Sequence, residues 1–160
     1  GNIMIGPQDS ALLIDFGRTR AGHTIFDWVT LEISLLSDFI RPRVDGGWEG
    51  AIQIIQALAK LNHNMPVNAR NPELQDALNV IITIRQIIAQ HITSWMEYYL
   101  ALAFISLRAM TWQTMSADSR QLMYLLSALA MHEFDALLIK GDNFSPHTEA
   151  PDATDFMSNS

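Results

Sequence analysis

Two oxygen-bearing side chains near the start of the chain have the type and spacing of a magnesium site. Asn2 begins one short aliphatic run and Asp15 lies near the end of the next, with the turn formers of Gly6–Ser10 between them. This pattern predicts a β-hairpin over residues 2–16. Strand pairing would then bring Asn2 and Asp15 to the same open end. A carboxamide oxygen and a carboxylate suit Mg²⁺, which takes one or two such ligands and completes its shell with water and phosphate oxygens. The structural alternative is that Asn2 merely starts a strand and Asp15 caps the following loop.

The loop and helix that follow this hairpin carry further candidates. Arg18 and Arg20 stand two residues apart, close to Asp15 in sequence. They could contact a phosphate or a substrate, or they could pair with acids in a solvated loop. Asp27 is an acid in the first turn of the next predicted helix, where the helix dipole favours it. Glu32, farther along that helix, is predicted to be a surface charge.

Other catalytic patterns are missing from the sequence. The five histidines are scattered, and His132-Glu133 lacks the second histidine that a zinc-binding helix needs. There is no G-x-S-x-G nucleophile motif and no G-x-x-x-x-G-K-[ST] phosphate loop. The classical hydrolase and P-loop classes are therefore excluded, and no residue of this chain is assigned a catalytic role.

The composition restricts the class of protein further. The 160 residues fit one domain, and a net charge of −7 argues against nucleic-acid binding, which needs a basic surface. The longest apolar run, Tyr98–Leu107, is too short for a membrane span and predicts a buried helix. Cysteine is absent, which fits a cytoplasmic protein. Only 17% of the residues are charged while 49% are hydrophobic, so part of the surface is expected to be covered by another chain or segment.

The apolar residues recur at helical spacing from Thr24 onward. They predict helices over about residues 24–41, 49–61, 72–91, 94–112 and 119–139. Gly141 is the expected stop of the last helix, and the acidic residues 141–160 beyond it are expected to be disordered. The predicted fold class is therefore mainly α, with an N-terminal β-hairpin followed by about five helices in one domain, residues 1–140.

The methionine and aromatic content has two interpretations. Most of these side chains are expected to fill the core, since Trp112, Met123, Tyr124 and Met131 lie at or beside the core spacing. An acidic, apolar helical module with four Trp and eight Met could instead be a docking or oligomerisation domain.

The hairpin resembles part of a known family. Asn-Ile-Met at positions 2–4, followed by Leu-Leu-Ile-Asp-Phe at 12–16, is similar to the catalytic core of kinase-fold phosphotransferases of the aminoglycoside phosphotransferase and choline kinase branch. The resemblance implies the C-terminal lobe of a kinase-like fold, with Asn2 and Asp15 as ligands of Mg²⁺ and with ATP or another nucleoside triphosphate as cofactor. It also implies that Asp27 braces the catalytic loop.

A narrower likeness covers residues 13–32, LIDFGRTRAGHTIFDWVTLE. This segment is similar to kinase-like modules of bacterial NTPase-centred conflict and signalling systems, described as ternary-complex-associated domains. Under this resemblance, the chain would act within a larger assembly of the cytoplasm.

The chain also departs from the kinase pattern. The catalytic aspartate of that family precedes the position of Asn2, and a nucleotide-binding N-terminal lobe with its lysine precedes that. The chain begins at Gly1 without either. It could be a fragment whose missing lobe lies in a longer protein or a partner chain, or a helical interaction module that keeps an ancestral hairpin. In both cases we expect it to be inactive alone, and self-association stays open.

Overall fold

The computed structural model describes residues 3–5, 11–13, 24–67 and 72–141. Most of this part of the chain is helical. The five α-helices are α1 Thr24–Ser34, α2 Gly47–Asn62, α3 Pro72–Ala89, α4 Trp95–Ala109 and α5 Ala117–Lys140. A π-helical segment, Leu35–Ile40, and a 3₁₀ turn, Arg41–Arg43, connect α1 to α2. Two strands, β1 Ile3–Ile5 and β2 Ala11–Leu13, pair antiparallel with Met4 opposite Leu12.

The connection from α1 to α2 differs from the uninterrupted helix that the sequence predicts. The helix widens into the π segment at Leu35, and the backbone carbonyl of Ser37 there accepts a hydrogen bond from the Ser119 hydroxyl of α5 at 2.9 Å. A side chain that bonds to a helix carbonyl is a known cause of such local distortion. Pro42 then lies in the 3₁₀ turn, where the missing N–H is tolerated.

Arg41 fixes the corner between these segments. Its side chain is buried, and its guanidinium donates to the backbone carbonyls of Val44 and, at 2.8 Å, Gly47. It also lies 3.4 Å from the carboxylate of the exposed Asp118 at the start of α5. The corner is therefore tied to the first turns of both α2 and α5.

Two serines cap the helices on which the bundle is centred. Ser94 precedes α4, and its hydroxyl accepts from the Met96 N–H at 3.1 Å. Ser116 precedes α5 and accepts from the Ser119 N–H at 3.0 Å. Serine oxygens in these positions satisfy N–H groups that the helix leaves free. Because Ser116 is the cap, α5 begins two residues earlier than the predicted start at Ser119.

The core lies between the five described α-helices and the π segment, with α3 contacting α1 and the π segment. α5 packs along α4 and α2, and α1 packs against α4. The largest buried side chains come from every described α-helix and from the π segment, and they include Ile33, Leu36, Leu58, Ile81, Leu102, Leu122 and Met123. α5 is also long and apolar enough to cross a membrane by length and composition alone, a test that the core helix of a soluble protein passes as well.

The predicted fold class is wrong in its first element. A β-hairpin over residues 2–16 was expected to open a kinase-like lobe, but the described fold is a helical bundle. The two strands have three residues each, and their extended contact is with each other, whereas the helices make extended contacts with helices. An isolated two-stranded ribbon is marginally stable because it buries little apolar surface. Within the described residues, the extended contacts that build the bundle are those between helices.

The predicted domain limits are only partly covered by the described residues. The last described residue, Gly141, adopts a left-handed conformation with φ of 62° after α5, as its predicted role as a helix stop requires. Residues 142–160, which include most of the predicted disordered tail, lie outside the described residues. Their disorder stays a prediction.

Candidate functional site

Most of the predicted metal, phosphate and bracing residues lie outside the described part of the chain. This is the case for Asn2 and Asp15, the predicted magnesium ligands, and for Arg18 and Arg20, the predicted phosphate contacts. Asp27 is described: it stands exposed in the first turn of α1. The magnesium site and the bracing role of Asp27 therefore stay predictions.

The charged group at the centre of the bundle is Glu32, and its predicted place on the surface is wrong. Glu32 lies on the inner side of α1 and is fully buried. Its Oε1 accepts two N–H bonds from Arg85 of α3, from Nε at 3.1 Å and from Nη2 at 2.8 Å. Its Oε2 accepts the hydroxyl of Tyr98 of α4 at 2.9 Å. Both carboxylate oxygens are thus satisfied.

Arg85 extends this cluster to the two remaining helices. Its Nη1 donates to Oδ1 of Asn62 at the end of α2, at 2.6 Å. The amide of Asn62 then donates to Oε1 of Glu133 on α5 at 3.1 Å, and Nε2 of the exposed His63 lies 3.6 Å from the same oxygen. We call Glu32, Asn62, Arg85, Tyr98 and Glu133 the buried network. It has one member on each of the five described α-helices.

The electrostatics of the buried network favour a charged pair and neutral tyrosines. Burial lowers the pKa of Arg85, but the Glu32 carboxylate together with Tyr98 and Tyr99 more than offsets this, so the pKa is raised overall and the guanidinium stays charged. Burial raises the pKa of Tyr98 well above its ordinary value, although Arg85 opposes that shift. Burial likewise raises the pKa of Tyr99 to about 12.

This arrangement acts as a clamp, since its hydrogen bonds join side chains that belong to different helices. The two oxygens of Glu32 and the three guanidinium nitrogens of Arg85 all have hydrogen-bond partners within the protein. Within the described ranges, no group of three or more His, Asp or Glu side chains is placed to hold a metal ion. The hydrogen bonds of the buried network connect all five described α-helices.

The sequence contains a signal for this clamp, although the prediction from the spacing of apolar residues placed Glu32 on the surface. Glu32 stands three residues after Val29 and four before Leu36, within the apolar stripe of α1. Arg85 stands four residues after Ile81 and three before Ile88, within the stripe of α3. Opposite charges on the buried stripes of two helices indicate an internal ion pair, because a lone buried charge is too costly.

The outer side of α4 presents large apolar side chains to solvent. Leu100, Phe104 and Leu107 follow one another at helical spacing, and Phe104 is 62% exposed. We call these three residues the α4 stripe. The sequence predicts a buried helix here, and the structure confirms this only for the opposite side of α4, which packs into the bundle. Apolar residues aligned on an exposed helix face are typical of interaction surfaces.

The described fold is a helical bundle whose helices are joined by the buried network, and a comparison with known families shows where the chain belongs. The model of the family named ternary complex associated domain 9 matches residues 1–111. That match covers more than half of the chain, and the chain belongs to this family. The matched region ends just after α4. The match supports the likeness to ternary-complex-associated domains and gives no support to the kinase-fold resemblance. Neither the curated proteins nor the solved structures contain a significant match.

Proposed function

We propose that this chain is a noncatalytic helical association module that binds a partner protein within an NTPase-centred signalling or conflict assembly. Membership of the ternary-complex-associated family supports a role in assembly. The observation that carries the proposal is the α4 stripe, an apolar row on the outside of a helix that is buried on its other side. The partner and the cytoplasmic location are part of the proposal.

The α4 stripe suits a helical partner. Leu100, Phe104 and Leu107 stand at i, i+4 and i+7, which is the spacing by which one helix packs against another. Phe104 is the natural anchor because a large aromatic side chain contributes most to such contacts when it enters a partner's pocket. Glu97 and Arg108 stand near the two ends of the stripe and would orient the partner.

The buried network supports this function by making the surface rigid. Tyr98 ties α4 to Glu32 of α1, and Glu32 is in turn fixed by Arg85 of α3. A surface that is already ordered loses little conformational entropy when it binds. The clamp thus serves association indirectly, by holding α4 in the position that a partner recognises.

The test is binding of the purified chain to a candidate partner, a nucleotide-hydrolysing protein of the proposed assembly, measured by calorimetry. Phe104→Glu should weaken binding by about tenfold or more, because burial of a Phe side chain contributes about 1.5–3 kcal/mol and each 1.4 kcal/mol is tenfold. Gln56→Glu, at an exposed position of α2, is the matched control and should bind as the unmodified chain does. Equal binding by Phe104→Glu and Gln56→Glu would contradict the proposed role of the α4 stripe.

A second arm of the experiment separates association from nucleotide chemistry. The predicted ligands Asn2 and Asp15 should bind Mg²⁺-ATP only in a longer chain that carries a nucleotide lobe, and Asp15→Ala should abolish that binding. Phosphoryl transfer by this chain alone would overturn the noncatalytic proposal.

A further inference from the structure

The outer face of α5 has the pattern of a helix that packs against another helix. Tyr124 and Met131, which the sequence assigns to the core, are instead exposed, Tyr124 by 55%. They belong to a series in which steps of four and three residues alternate along the helix, the spacing of a coiled-coil seam. The residues of this series, which we call the α5 seam, are Ala117, Gln121, Tyr124, Ala128, Met131, Asp135 and Leu138.

Two charges, Arg120 beside the α5 seam and Asp135 within it, distinguish between the two directions in which a second α5 could lie. Arg120 stands eight residues before Ala128, and Asp135 stands seven residues after it. A parallel pair of helices would place Asp135 opposite Asp135, which is a repulsion between like charges. An antiparallel pair that crosses at Ala128 would place Asp135 of each chain beside Arg120 and Gln121 of the other. The small side chain at the crossing point allows the helices to approach closely.

The shape of the two ends of α5 fits the same antiparallel arrangement. Near the N-terminal end, a shallow and largely apolar groove is lined by Trp48, Met110, Ala117, Arg120, Gln121 and Tyr124, with the rings of Trp48 and Tyr124 edge to face at 6.4 Å. Near the C-terminal end, two large apolar side chains protrude: Leu138 is 59% exposed and Ile139 is 85% exposed. An antiparallel partner would bring its protruding end to this groove.

We propose that a second copy of this chain binds along the α5 seam, antiparallel and related by a two-fold axis near Ala128. The same surface then serves both copies, with the exposed end of each α5 in the apolar groove of the other, as a two-fold interface requires. This inference builds on the proposed association function and names one partner. It uses a different helix from the α4 stripe, so that a dimer would present two α4 stripes to the other partner.

The test is a charge reversal monitored by analytical ultracentrifugation and light scattering. The unmodified chain should form a dimer of about 36 kDa, twice its 18.0 kDa. Arg120→Glu and Asp135→Arg should each raise the dimer dissociation constant by about tenfold or more, since each variant places like charges opposite each other. The double variant should restore dimerisation to within about threefold, because the pair is re-formed with its signs exchanged. Asp76→Asn, an exposed change of charge on α3, should have no effect.

Several results would overturn the inference. The first is a chain that stays monomeric at concentrations up to about 0.5 mM. The second is a dimer whose dissociation constant none of the three variants changes. The third is a double variant that dimerises no better than the single variants. Circular dichroism checks that each variant folds, which matters because Arg120 also donates to the Trp112 carbonyl at 3.2 Å. Met131→Glu, a surface change near the axis, should disrupt the dimer without touching that bond. If the chain is a monomer that still binds its partner through Phe104, only the dimer proposal is contradicted, and the proposed association function is unaffected.

Discussion

Glu32 and Arg85 carry the strongest energetic argument at the scale of single residues. Both charges are removed from water, and each is compensated chiefly by the other, through two hydrogen bonds. Pairs of this kind stabilise a fold little compared with well-packed apolar residues, but the loss of one partner leaves a buried charge without compensation. The pair therefore specifies which helices meet as much as it strengthens their contact.

A double-mutant cycle tests this pair. Glu32→Gln and Arg85→Met should each lower the free energy of unfolding by about 3–5 kcal/mol, since each leaves one buried charge unpaired. The double variant should lose about 0.5–3 kcal/mol less than the sum of the single losses. Urea unfolding followed by circular dichroism measures all three.

Asp76→Asn serves as the control for this cycle. It removes a charge from the exposed side of α3 and should change the free energy of unfolding by no more than about 0.5 kcal/mol. If Glu32→Gln cost no more than this control, the pair would not be a significant constraint on the fold.

At the scale of elements, the start of α2 shows how a loop and a helix are fitted together. Gly46 and Gly47 have positive φ angles of 103° and 51°, which are readily adopted only by glycine. Gly50, one turn into α2, lies against the preceding loop. A Cβ atom at Gly50 would stand 2.4 Å from the carbonyl oxygen of Asp45, so that side of the helix has no room for one.

Gly50→Ala should therefore destabilise the protein, although Gly→Ala usually stabilises a helix by about 1 kcal/mol. We expect the free energy of unfolding to fall by about 1–3 kcal/mol, the typical cost of overpacking a tight contact. Thermal unfolding measures the change. Gln56→Ala, at an exposed position of the same helix, should be neutral or slightly stabilising. A Gly50→Ala variant as stable as this control would show that the loop can move away.

At the scale of the whole molecule, the buried tyrosines make global stability depend on pH. Tyr98 and Tyr99 have pKa values raised by burial above the ordinary 10.0, that of Tyr99 to about 12. A raised pKa in the folded state means that the folded protein keeps a proton that the unfolded chain releases. Their contribution to stability is therefore complete below about pH 10 and declines as the pH rises beyond it.

We expect the free energy of unfolding to fall between pH 10 and pH 12 by about 1.4 kcal/mol per pH unit for each of these tyrosines. Tyr98→Phe should reduce this slope by about half. It should also lower stability at pH 7 by about 1–3 kcal/mol, because Glu32 loses a hydrogen-bond donor. Tyr124→Phe, at an exposed tyrosine of α5, is the control. Equal slopes for Tyr98→Phe and Tyr124→Phe would contradict this assignment.

The sequence by itself determined which segments of the chain form helices, because the spacing of apolar residues along the chain is a local property that does not depend on the tertiary structure. The stripe of α1 and the proline at the start of α3 were readable directly. The predicted fold class, in which a β-hairpin opens a kinase-like lobe, was wrong, since strand pairing alone does not show what a strand packs against. Only the tertiary structure placed Glu32 inside and Phe104, Tyr124 and Met131 outside. The spacing of apolar residues along one helix shows which residues share a side of that helix. Which side is buried depends on where the other helices pack.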